Sequence, residues 1–141
     1  KLLKNLIKDF CGGIKVFNVG CKNLENVVEE GDLQSPEVQN LLLKYLEEIK
    51  NSDVDCLVLG CTHYPFLKEP IQKIVGPHVK LIDSGNAIAK HTKNLLANNV
   101  LENSQKTLGK TLYFTTGDPE KFSKVASMLL KNKVKAKKVK I

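Results

Sequence analysis

The chain has 141 residues, 42% of them hydrophobic, enough for one domain of ordinary size with a core and too many for a disordered chain. The net charge is +7, carried by 22 lysines without a single arginine; there is no tryptophan and aromatic residues are few. Lacking guanidinium forks and stacking rings, the composition argues against base reading or base stacking as the main activity, and the longest apolar run is far too short to span a membrane.

In chain order, Leu2, Leu3, Leu6 and Ile7 share one face and predict a helix over residues 2–9, stopped by "CGG" at 11–13. "IKVFNV" at 14–19 reads as a short strand, and 23–30 as a short helix closed by a turn at "EGD". The clearest helix is 35–50. Ser35 suits the N-cap, Pro36 the first helical position and Glu37 the first turn, while Val38, Leu41, Leu42, Tyr45, Leu46 and Ile49 form the apolar stripe. "DCLVLG" at 55–60 is a nearly continuous apolar run, the pattern of a strand buried on both faces.

A helix is expected over about 65–75, a strand at 79–83 and a helix from 85 to 99. Residues 99–110 read as loop, 111–116 as a strand and 118–131 as a helix. Six lysines fall in the last eleven residues, interleaved with Val134, Ala136, Val139 and Ile141, as on an edge strand protected by charge. The alternation of strands and helices predicts α/β architecture: three layers, with a mostly parallel sheet flanked by helices.

Cys11, Cys21, Cys56 and Cys61 form no C-x-x-C pair, and their spacing suits no common zinc framework. With no signal peptide visible, a cytoplasmic protein with free thiols is expected. The chain opens on Lys1 rather than methionine, so a fragment or a processed product is expected.

The chemistry concentrates at residues 60–65, "GCTHYP". In a parallel α/β sheet, ligands bind beyond the carboxyl ends of the strands. Cys61 stands there, with Gly60 allowing a close turn. A helix starting near Pro65 would favour a thiolate and attract a carboxylate. Thr62 offers a hydroxyl donor, and His63 a proton relay. Against this stands the ordinary alternative of a cysteine buried as a small hydrophobe at a strand end. Cys56 reads as core, Cys11 and Cys21 as packing, His78 and His91 as surface residues, and Glu29 and Glu30 as a solvated face.

"LVLGCTHYPFL" resembles the second cysteine motif of glutamate racemases, in the aspartate/glutamate racemase family, and the histidine after "GCT" points to the glutamate branch. "VGCKNLENVVEEG" at 19–31, "LIDSGNAIA" at 81–89 and "LYFTTGDPEKF" at 112–122 resemble further segments of that family, in the same order.

The resemblance implies a two-lobed α/β enzyme that interconverts L- and D-glutamate with two cysteine thiols, one on each side of the α-carbon, and with no cofactor or metal. It implies that Cys61 is the base acting on L-glutamate, that His63 assists it, that Glu29 supports proton transfer and that Thr62 contacts substrate. Residues 1–84 would be the latter part of the second lobe, and 85–141 the returning segment that completes the first. The family's first cysteine motif, with Asn and Thr after the cysteine, has no match here. The chain is therefore expected to be a C-terminal half, inactive alone, with an exposed face in 85–141.

Further implications are a small-molecule substrate with no nucleic-acid or membrane partner, a homo-oligomer such as a dimer, and a role in supplying D-glutamate for peptidoglycan. Two alternatives stay open: a cysteine-nucleophile hydrolase using Cys61 and His63, and a lysine-rich polyanion-binding module.

Overall fold

The computed structural model describes residues 2–105 and 108–141. Its elements are α1 (Leu2–Phe10), α2 (Leu24–Glu29), α3 (Pro36–Lys50), β1 (Cys56–Val58), a 3-10 turn (Tyr64–Leu67), α4 (Lys68–Val75), β2 (Lys80–Ile82), α5 (Gly85–Asn98), β3 (Tyr113–Thr115), α6 (Pro119–Leu129) and β4 (Ala136–Lys138). Parallel strands with flanking helices make the expected α/β fold. Instead of one sheet, however, the described strands form two separate parallel pairs, β1–β2 and β3–β4.

The main core lies between α2, α3 and α4. Leu24 and Val28 enter from α2, Val38, Leu42, Leu46 and Ile49 from α3, and Leu67, Ile71 and Val75 from the 3-10 turn and α4. Val38, Leu42, Leu67 and Val28 are essentially fully buried. The start of α3 follows its sequence signals closely. Ser35 Oγ accepts from the Val38 N–H at 3.2 Å, and Asp32 Oδ1 accepts from the Ser35 N–H at 3.0 Å. The hydrogen bond to Ser35 holds the Asp32 carboxyl below its usual range.

The β1–β2 pair aligns Cys56 with Lys80 and Val58 with Ile82, and the Leu59 N–H continues the ladder to Ile82 O at 2.7 Å. At the end of α4, Gln72 Nε2 donates to the carbonyls of Gly76 and Val79, fixing the turn that delivers the chain to β2. The second pair aligns Tyr113 with Ala136, and α6 packs on it. Ser127 Oγ accepts from the Val134 N–H, and Ser123 Oγ from the Ala136 N–H, each at 2.9 Å. Two serines one helical turn apart thus hold the chain entering β4. Val134 and Ala136 are buried while the neighbouring lysines face outward, as the interleaved pattern predicts.

Helix α6 also rests on the main core. Gly31 lies at φ +80, and a Cβ there would approach Met128 Cε at 3.1 Å, so both the turn after α2 and the approach of α6 favour glycine. Leu129 packs against the core cluster itself.

Three sequence expectations are corrected. Residues 14–19 form no strand: among the described residues nothing pairs with them, and Ile14 and Val16 are exposed. Strand β1 is not buried on both faces, since Val58 is 67% exposed. The helix expected from about 65 opens as a 3-10 turn, and α-geometry begins at Lys68. A further expectation holds, in that part of 85–141 exposes an apolar face. No described side chain of α5 is buried, and Ile88, Leu95 and Leu96 lie open.

Two substitutions test this account of the core. Ser35→Ala should lower stability by about 1 kcal/mol through the lost cap. Leu42→Ala should cost about 3 kcal/mol through the cavity left among α2, α3 and α4. Urea unfolding followed by circular dichroism measures both, and equal losses for the two would contradict it.

Candidate active site

Strand β1 ends at Val58, and the ladder ends with Leu59. Cys61 follows at the carboxyl end of the strand, where a parallel sheet leaves room for a ligand. Gly60 needs no special backbone conformation. A Cβ there would meet nothing within 4 Å, so its value lies in open space beside Cys61 rather than in a tight turn. The loop then closes on itself, with the Tyr64 N–H donating to Cys61 O and the Phe66 N–H to His63 O, each at 3.2 Å.

This turn points the His63 ring between two partners. Nδ1 lies 3.6 Å from Cys61 Sγ, and Nε2 lies 3.1 Å from Glu29 Oε1. A carboxylate can only accept, so Nε2 carries a proton and donates it to Glu29. In the tautomer this contact selects, Nδ1 turns its lone pair toward the thiol. The arrangement can take a proton from Cys61 and return it. Its stabilising value is small: the Glu29 side chain is 64% exposed and that of His63 32%, and pairs so exposed contribute about 0–1 kcal/mol. What the contact supplies is orientation and choice of tautomer.

Cys61, His63 and Glu29 are therefore brought together from segments 34 residues apart in the chain. His63 and Glu29 also line a cavity of about 520 Å³, together with Thr62. The size suits a small molecule. Cys61 is not among the residues lining it and reaches it only through its 3.6 Å contact with His63 Nδ1.

The opposite wall comes from the β3–α6 connection, with Thr115, Gly117 and Lys121. The sequence placed these residues in a segment, 112–122, that resembles the racemase family, but singled out none of them as site residues. The one signal that could have drawn attention to them is the "TTGD" turn. Its Asp118 is occupied structurally, with Oδ1 accepting from the Glu120 and Lys121 N–H groups as the cap of α6. A slightly larger, open depression of about 600 Å³ lies beside Lys73 and Pro77 and contains none of the candidate residues. Among the described residues, no group of three His, Cys, Asp or Glu side chains is arranged to hold a metal ion.

Tyr64, directly after His63, is half-buried against the core. Burial, then the nearby Cys21, Cys61 and Glu25, push its hydroxyl up to about 12. Burial likewise raises the Cys21 thiol. Both groups remain protonated at neutral pH.

A family model of Asp/Glu/hydantoin racemases matches residues 1–92. Among curated proteins, a glutamate racemase of Herpetosiphon aurantiacus is 37% identical over 126 residues, covering 89% of this chain and 50% of that protein. One of Thermoanaerobacter sp. is 38% identical over 128 residues, covering 91% and 48%. Among solved structures, a glutamate racemase isoform from Bacillus anthracis superimposes with a TM-score of 0.82 at 28% identity, over 99% of this chain and 52% of that one. The Francisella tularensis glutamate racemase, in complex with D-glutamate, gives a TM-score of 0.81 at 31% identity, over 98% and 51%. The chain spans about half the length of the curated relatives it matches.

The raised Tyr64 hydroxyl has a consequence for stability. The folded state holds this proton more tightly than the unfolded chain, whose tyrosine titrates near 10. The associated stability is complete below about pH 10 and is lost as pH rises through about 12. Urea midpoints should therefore fall more steeply between about pH 10 and about pH 12 for the parental chain than for Tyr64→Phe. Parallel curves would place the tyrosine in a solvated setting.

Proposed function

This chain belongs to the Asp/Glu/hydantoin racemase family, and on that footing we propose that it supplies one acid–base wall of a cofactor-independent glutamate racemase. The observation that carries the proposal is the contact of His63 with Cys61 on one side and Glu29 on the other. Racemisation needs an α-proton removed from one face of the amino acid and another delivered to the opposite face. In this reading His63 Nδ1 takes the Cys61 thiol proton, the thiolate removes the α-proton of L-glutamate, and a thiol on the far side protonates the resulting carbanion. Glu29 holds the imidazole in the tautomer that leaves Nδ1 free, and the Thr62 hydroxyl binds a substrate carboxylate.

The second acid–base group is assigned to a segment outside this sequence, because Cys11, Cys21 and Cys56 lack the Asn-Thr neighbours of the family's first cysteine motif. The half-length match to the relatives supports that division. We assign residues 1–84 to one lobe and 85–141 to the completion of the other. The separate β3–β4 pair and the open face of α5 support this assignment. The same reading makes the protein a cytoplasmic enzyme, supplying D-glutamate for peptidoglycan and assembling as a homo-oligomer.

Glu29 also provides the orienting third group that a Cys–His hydrolase would need, so geometry alone serves both chemistries. The glutamate racemase relatives favour proton transfer over covalent catalysis.

The test is hydrogen exchange at the α-carbon. In heavy water, the chain should exchange the α-proton of L-glutamate, alone or when mixed with the complementary half of a curated relative. Cys61→Ser should reduce the rate by at least about 100-fold, and Glu29→Gln by about 10-fold to 100-fold. Proton NMR of the glutamate α-resonance reads both. A mixture that neither exchanges nor racemises glutamate, with the chain folded, would sink the proposal; a trapped acyl-enzyme would install the hydrolase in its place.

A further inference from the structure

Two tyrosine hydroxyls from different elements end on consecutive backbone carbonyls. Tyr64 Oη donates to Cys21 O at 3.3 Å, and Tyr45 Oη donates to Lys22 O at 2.7 Å. Tyr64 belongs to the Cys61 loop and Tyr45 to α3, whereas Cys21 and Lys22 form the approach to α2. The next residue, Asn23, is held in the left-handed region at φ 67 and ψ 5, which a non-glycine chain visits rarely.

Helix α2 is a poor helix by itself. It has six residues, too few to be stable alone, and its N-cap Asn23 makes no side-chain capping bond. Yet its last residue is Glu29, which must sit 3.1 Å from His63 for the tautomer to be fixed. Something other than helix propensity has to set its position. Buried Leu24 and Val28 fix its depth in the core. Apolar contacts carry no direction, however, and leave its sliding and rotation loosely defined. Directional bonds at its entry remove that freedom, and the two tyrosines supply them. One of the two donors is the residue adjacent to His63, so the clamp ties α2 to the very loop that Glu29 must meet.

We propose that Tyr64 and Tyr45 are positioning residues whose hydroxyls clamp the Cys21–Lys22 backbone and so hold Glu29 against His63. Tyr64 stays a donor throughout the neutral range because its hydroxyl keeps its proton there. The effect on turnover rests on the racemase reading above; the effect on the His63 ring does not.

The test uses the whole chain labelled with ¹⁵N-histidine. Two-bond proton–nitrogen correlations give the ring nitrogen shifts of His63, with exposed His78 and His91 as internal references. The parental chain should show a fixed Nε2–H tautomer at His63, and Glu29→Gln should move its ring nitrogens toward the averaged values of the references. Tyr64→Phe and Tyr45→Phe keep their rings and should each produce part of that movement, with the double variant producing most of it. Combining Tyr64→Phe with Glu29→Gln should add nothing beyond Glu29→Gln.

Where the mixture described above exchanges glutamate, Tyr64→Phe should lower kcat about tenfold or more with KM within about twofold. His63 shifts matching the references in the parental chain, or unchanged by both tyrosine variants, would overturn the clamp. Should Tyr64→Phe fail to melt cooperatively, Tyr45→Phe alone decides. A silent exchange assay with the expected nitrogen shifts would reject the racemase reading and leave the clamp standing.

Discussion

Val28 and Leu67 anchor the two elements that carry the candidate site, and Val28 also lines its cavity. Both are essentially fully buried in the same apolar cluster. Val28 precedes Glu29 by one residue and Leu67 follows His63 by four. Once those two side chains are packed, the carboxylate and the imidazole are carried to the rim of the core at a set depth. Burying a side chain of this size contributes about 1.5–3 kcal/mol, whereas the exposed Glu29–His63 pair contributes about 1 kcal/mol at most. The core therefore sets the depth of the pair and leaves its direction to hydrogen bonds, and the pair cannot set the geometry of the core. Its chemical value is separate from its weak energy: a bond too feeble to stabilise the fold is still enough to decide which ring nitrogen faces the thiol.

The same core explains the uneven burial of the chain. Helices α2, α3 and α4 cover one another and one face of the β1–β2 pair, and their apolar stripes are matched. Elsewhere apolar side chains stay open: Phe10 on α1, Val58 on β1, Ile88 and Leu95 on α5, and Phe114 on β3. These lie on several elements and share one feature, a sheet edge or helix face that meets no other described element. A two-stranded pair has two edges and two faces and is marginal without cover. The β3–β4 pair gains that cover on one side from α6, through Ser123, Ser127 and the buried Val134 and Ala136.

Local physics made much of this legible in the sequence. The Ser35 cap, the position of Pro36 and the period of the α3 stripe are short-range features, and each is realised where the pattern puts it. The strand at 14–19 is the instructive failure. "IKVFNV" has the composition of a strand, but a strand exists only when paired, and pairing is not written in six residues. The division into two sheets was hidden for the same reason. Cys61, His63 and Thr62 announce themselves by adjacency. Glu29 does not, because on a solvated helix end it looks like any surface glutamate, and only the resemblance singled it out. Thr115, Gly117 and Lys121 lie in a segment that resembles the family, yet none was singled out, since their place in the cavity wall comes from the packing of α6 beside Gly31.

The two tyrosines show how a weak polar contact can be made dependable. Hydrophobic packing fixes depth but not direction, so a short uncapped helix resting on Leu24 and Val28 could turn on its own axis at little cost. A shift of about 1 Å at Glu29 would break a 3.1 Å hydrogen bond to His63 while leaving the core almost undisturbed. Hydrogen bonds from Tyr45 and Tyr64 to adjacent carbonyls act directly before Asn23, where the backbone turns through the left-handed region. Two directional bonds at the start of α2 and one at its end leave the helix little freedom to rotate. Precision at the site thus comes from a division of labour, in which apolar burial supplies the energy and three hydrogen bonds of modest strength supply the direction.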